Sequence, residues 1–173
     1  MVHLITGAVH QGKSTYLLHL YRSLQLGDGF YNRPVFREGR LAGQEIVHLA
    51  TGASRPFSFR DGFIPQDWDE ECRYHVYSFS GAGLKFGREI ITRACQNRIE
   101  PLFVDEIGPL ELAGKGFYGL VTDLLPKRID LYLVVRLGCL DEIVTHFGIT
   151  EYIVIDCTDH QDFQAAVKPE ISR

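Results

Sequence analysis

No apolar run in this chain approaches the roughly 20 residues needed to cross a bilayer, and no basic segment precedes the first apolar stretch as in a secretory leader. A cytoplasmic protein without membrane contact is therefore expected. The four cysteines, Cys72, Cys95, Cys139 and Cys157, stand far apart with no C-x-x-C pair. That argues against a disulfide frame or zinc site and for inert thiols in a reducing compartment. Cys157 and His160 are three apart, but a metal site needs three or four ligands and no partners accompany them. Positive charge is not in excess either: the net charge is −4, which offers nothing to nucleic acid or an anionic surface. Internal repeats, low-complexity tracts and linkers are missing too. The 173 residues, 45% hydrophobic and 23% charged, are read as one domain spanning 1–173.

Short apolar runs alternate with helix-like stretches. Strands are expected at 2–6, 101–106, 130–136 and 152–156, as continuous apolar runs of the kind covered on both faces. Helices are expected at 14–26, 84–97, 115–125 and 140–147. This rhythm argues for an α/β fold with a mostly parallel central sheet. Residues 28–79 break it, being rich in glycine and β-formers, and read as an inserted antiparallel hairpin region. Its turn is expected at Gly39-Arg40, with a further single strand at 72–79.

The loop "GAVHQGKST" carries the chemistry. Gly7, Ala8, Val9, His10, Gln11, Gly12, Lys13 and Ser14 fit G-x-x-x-x-G-K-[ST], with a strand before and a helix after. Consecutive backbone N–H groups wrap phosphates there, and glycines permit the close approach. The helix start aims its positive end at the same anions. Lys13 is expected to reach the terminal phosphates and Ser14 to offer its hydroxyl to Mg²⁺. The expected counterpart is Asp105-Glu106, closing the apolar run "PLFV". Asp105 suits Mg²⁺ support and Glu106 suits activation of water. The fold is therefore expected to be the three-layer P-loop NTPase type.

Other positions are weaker. Arg136 closes the strand after the acidic one, at the end of a parallel sheet where ligands bind. It is either an arginine finger or a surface arginine or structural ion pair. Arg37 and Arg40 read as solvated, and "FSGAGL" reads as a helix start capped by Ser80. His3, His19 and His48 carry no assigned role. The segment after the last strand, Thr158 to His160, is expected to line the base pocket.

"LITGAVHQGKST", "GFYNRPVFREGRLAGQEIV" and "FVDEIGPLEL", in this order, resemble the small P-loop nucleoside-triphosphatases first known from thermophiles. The resemblance covers most of residues 2–112. It implies Mg²⁺-dependent hydrolysis of nucleoside triphosphates such as ATP or GTP with broad base tolerance. By it, Gly7, Gly12, Lys13, Ser14 and Thr15 bind phosphates and metal, Asp105 supports Mg²⁺, and Glu106 activates water. Three departures stand out. His10 replaces a loop glycine, Pro109-Leu110 replaces a basic-plus-apolar pair, and "IDCTDHQDF" lacks the usual asparagine–arginine pair. Two alternatives stay open: a nucleotide or nucleoside kinase, and a nucleotide-gated accessory protein with slow hydrolysis. Neither a protein partner nor the preferred base is readable.

Overall fold

The computed structural model describes residues 1–8 and 11–158. The strands are β1 (Val2–Thr6), β2 (Asp28–Arg37), β3 (Arg40–His48), β4 (Ser54–Arg60), β5 (Glu70–Tyr74), β6 (Tyr77–Ser80), β7 (Leu102–Ile107), β8 (Leu131–Val135) and β9 (Tyr152–Asp156). The helices are α1 (Lys13–Leu24), α2 (Gly81–Gln96), α3 (Pro109–Leu112), α4 (Tyr118–Leu124) and α5 (Leu140–His146). None of them is long and apolar enough to cross a membrane.

All the strands join one nine-stranded sheet in the order β5-β6-β4-β3-β2-β7-β8-β1-β9. From β2 to β9 the neighbours run parallel, and from β2 to β5 they run antiparallel. The sheet is therefore mixed, which corrects the expectation of a mostly parallel one. The cause lies in β2. Its first residues, Asp28–Phe30, pair with β7, while Phe30–Arg37 pair with β3. Residues 28–79 thus extend the central sheet across β2.

Alternation explains why the central runs are apolar throughout. Leu4, Leu102, Val104, Leu131, Leu133 and Val135 face the core shared with α2, α4 and α5. Their neighbours Ile5, Phe103 and Val134 face the core under α1, with Leu17. Successive side chains of a strand point to opposite faces, so helices on both sides require apolar residues at every position.

Two local readings shift. The β2–β3 turn sits at Glu38-Gly39, both with positive φ (51° and 74°), one residue earlier than expected. Left-handed residues at both central positions match the twist of the flanking strands. The stretch 72–79 is two strands, because His75 adopts φ 49° and turns the chain between β5 and β6. The helix over 115–125 begins only at Tyr118, and the short α3 precedes it with Pro109 in its first turn, where the missing N–H costs nothing. Ser80 caps α2 as expected, its Oγ accepting from Gly83 N at 3.0 Å.

Candidate functional site

The site lies at the C-terminal ends of the parallel strands. Gly12 opens α1 with φ 81°, a conformation that disfavours a side chain. Gly7 passes against β9's exit, where a Cβ would collide with the sulfur of Cys157. The Cys157 thiol is buried beneath the loop and donates to Gln11 O at 3.5 Å; burial pushes its pKa up. Lys13 Nζ donates to the carbonyls of Gly7 (3.0 Å) and Ala8 (2.8 Å), and the Gln11 side chain accepts from Ala8 N at 2.6 Å. Lys13 thus occupies its own loop. Val9 and His10, both expected in the phosphate loop, lie outside the described residues, as does His160.

The acidic wall is built differently. In a regular strand Asp105 and Glu106 would point to opposite faces. Here the β7–β8 register breaks between Val104 and Ile107, and Glu106 takes φ 64°. A bulge re-aims side chains in this way, and a non-glycine left-handed residue costs of order 1–3 kcal/mol held by its surroundings. Both carboxylates then meet one residue of β2. Asn32 N donates to Asp105 Oδ2 at 2.7 Å, and Asn32 Nδ2 donates to Glu106 Oε2 at 3.0 Å.

Asp105 is 1% exposed, and its Oδ1 has no partner. Burial pushes its pKa up to about 7; the Asn32 N–H and the Ser14 hydroxyl pull the other way, while the Glu106 charge adds to the rise. Glu106 also accepts from Arg136 Nη2 at 2.7 Å. The structure therefore brings Arg136, Glu106, Asp105 and Ser14 to one side of the crevice, next to the loop of Lys13. Thr158 stands at the far side, beyond β9, where its N–H and hydroxyl both donate to Asp156 Oδ1 at 2.8 and 2.7 Å. Among the described residues no group of three or more His, Cys, Asp or Glu side chains could cage a metal.

Comparison with known proteins now decides the family. The profile of a family described as NTPase matches residues 3–160. The chain belongs to the NTPase family. It is 31% identical over 129 residues to nucleoside-triphosphatase THEP1 of Natranaerobius thermophilus, covering 74% of this chain and 71% of the relative. A protein of the same name from Archaeoglobus fulgidus is 24% identical over 151 residues, covering 84% and 85%. Among solved structures, THEP1 from Aquifex aeolicus superposes with a TM-score of 0.72 at 21% identity, over 94% of this chain and 93% of the other. A human cancer-related nucleoside triphosphatase gives 0.63 at 20% identity, over 98% of each. These last two establish likeness of fold.

In this NTPase-family chain, two residues escaped the sequence reading. Asn32 holds both carboxylates but sits in the glycine-rich segment, where no motif marks it. Glu111, 2% exposed, accepts from Gly108 N (2.9 Å) and Phe117 N (3.0 Å) and shapes the loop after β7. His48, assigned no role, is buried structure: its ring bridges Asp28 Oδ2 (2.9 Å) and Thr51 Oγ1 (2.8 Å).

Proposed function

We propose that the protein hydrolyses nucleoside 5′-triphosphates to diphosphate and phosphate with Mg²⁺, accepting several bases. The observation that carries this is the buried, unpartnered Oδ1 of Asp105 beside Ser14, with Glu106 turned to the same side by the bulge. An orphaned buried carboxylate oxygen is costly, and a hard cation is what such an oxygen suits. Ser14 and Asp105 would hold Mg²⁺, which bound there neutralises charge on the terminal phosphates. The N–H groups of Gly7–Ser14 and Thr15 would cradle the phosphates, and Lys13 would leave its loop carbonyls for them. Glu106, fixed by Asn32 and Arg136, would take the proton of the attacking water. Arg136 would then be free to meet developing charge on the transferred group.

The names of the relatives support the activity, and the geometry supports its division among residues. Phosphate release from ATP, GTP, CTP and UTP, each with Mg²⁺ and with EDTA, tests the reading. Release from all four within about tenfold, or roughly 1.4 kcal/mol, and its loss in EDTA are expected. Binding of Mg–ATP without release would sink hydrolysis. A thousandfold preference for one base would sink broad tolerance.

A further inference from the structure

Beyond Glu106, away from the phosphate loop, a half-open cavity of about 130 Å³ lies between strands β4–β6 and the segment after β7. One wall is aromatic, with Phe57 of β4, Phe79 of β6, and Tyr74, His75 and Tyr77 at the β5–β6 turn; Pro109 and Leu110 of α3 face it. Glu106 and Arg136 form its polar end. Phe57 and Phe79 meet edge to face at 5.2 Å, and Tyr74 meets His75 at 4.4 Å, so the walls are mutually braced. His75, with φ 49° at the turn between β5 and β6, also lines the cavity.

We infer that this cavity is a binding subsite for a neutral, single-ring small molecule bearing hydroxyl groups, seated with its polar end at Glu106. Size sets the ring count, since an apolar cavity of about 150 Å³ takes one benzene. The walls favour a ring because aromatic faces and edges pair at the spacings found here. Charge sets neutrality. Arg136 is already matched by Glu106 at 2.7 Å, and Glu111 is turned onto two backbone N–H groups. An anionic ligand would have to break the Arg136–Glu106 pair or sit against Glu106. A hydroxyl instead donates to the free lone pairs of the carboxylate. The subsite stands or falls separately from hydrolysis.

Resorcinol is the probe: one ring, uncharged, with two hydroxyls. Its binding is followed by NMR through the Tyr74 and Tyr77 ring signals, with and without Mg–ADP, alongside benzoate and 2-naphthol. Saturable resorcinol binding that persists with Mg–ADP is expected, at least tenfold tighter than either comparator. Tyr77→Ala should weaken it at least tenfold, and His75→Ala, at an exposed turn, provides a second variant if Tyr77→Ala does not fold. No saturable binding, displacement by Mg–ADP, indifference to both variants, or equal affinity for the anionic benzoate or the two-ring naphthol would each overturn the inference. Phosphate release from Mg–ATP by the same sample keeps the readings apart. Resorcinol binding without release removes the proposed function and leaves the subsite, and release without resorcinol binding removes the subsite alone.

Discussion

The two walls of the crevice are made by opposite means. The phosphate loop is held mainly by local bonds: Gln11 accepts from Ala8 N and Lys13 donates to carbonyls five and six positions away, with a long 3.5 Å contact from Cys157 beneath. The acidic wall is long-range. Asp105 and Glu106 are held by Asn32, separated from them by 73 and 74 positions, and Glu106 also by Arg136, 30 positions on. A local wall needs a short motif, whereas a long-range wall needs the whole sheet in register. Phosphate binding should therefore depend on the loop and turnover on the register.

The largest effect expected on this division is Glu106→Gln. The amide keeps the contact with Arg136 but takes no proton, so phosphate release should fall by about 10²–10⁴. Calorimetry should show Mg–ATP binding intact. A wild-type rate would remove Glu106 from the chemistry and leave the acidic wall as scaffolding.

Next comes the pH dependence that the acidic wall imposes. Burial pushes Glu111 up to about 7, against the hydrogen bonds from Phe117 and Gly108. Its folded pKa thus exceeds the ordinary 4.5 of the unfolded chain. The folded state binds the proton more tightly, so stability is fullest below about pH 4.5 and is lost as pH rises through about 7. The span, on the order of 3 kcal/mol at most, should appear as a lower urea midpoint at pH 8 than at pH 5. Glu111→Gln should flatten that fall, leaving a residue from Asp105, which shifts in the same direction. An unchanged slope would mean that Glu111 does not titrate in this window.

Lys13→Ala tests the local wall. Losing one charge-assisted contact costs roughly 1.5–3 kcal/mol, a tenfold to hundredfold weakening of Mg–ATP binding by calorimetry. The alanine leaves α1 intact, since among the described residues the Lys13 ammonium bonds to its own loop carbonyls. Unchanged affinity would reduce the loop to a structural turn.

The same contrast explains what was legible in the sequence. Lys13 and Ser14 belong to a contiguous pattern whose spacing is itself the mechanism. Asp105 and Glu106 were readable because an apolar run ends on them, and Arg136 because it closes the next run. The bulge that turns Glu106 beside Asp105 leaves no signature, since strand alternation would separate them. Asn32 was unreadable because its partners lie on another strand, and β2 looked like part of an insertion. The mixed sheet was missed for the same reason: a single strand pairs parallel on one side and antiparallel on the other. The expectation for Thr158 rested on sheet topology, and its hydroxyl is spent on Asp156.

Asn32→Leu gives the smallest and most discriminating effect. Leucine cannot donate to Glu106, but its backbone N–H still reaches Asp105, so the bond to the expected metal-holding residue survives. Asn32 is 4% exposed and its Oδ1 has no partner, so an apolar side chain of similar size removes one unmet polar atom and keeps the packing. Glu106 retains Arg136 but loses one of its two anchors. Turnover should fall about tenfold, or roughly 1.4 kcal/mol, with KM for Mg–ATP within twofold. A rise in KM at constant turnover would show that β2 supports nucleotide binding, and the two walls would then not be separable.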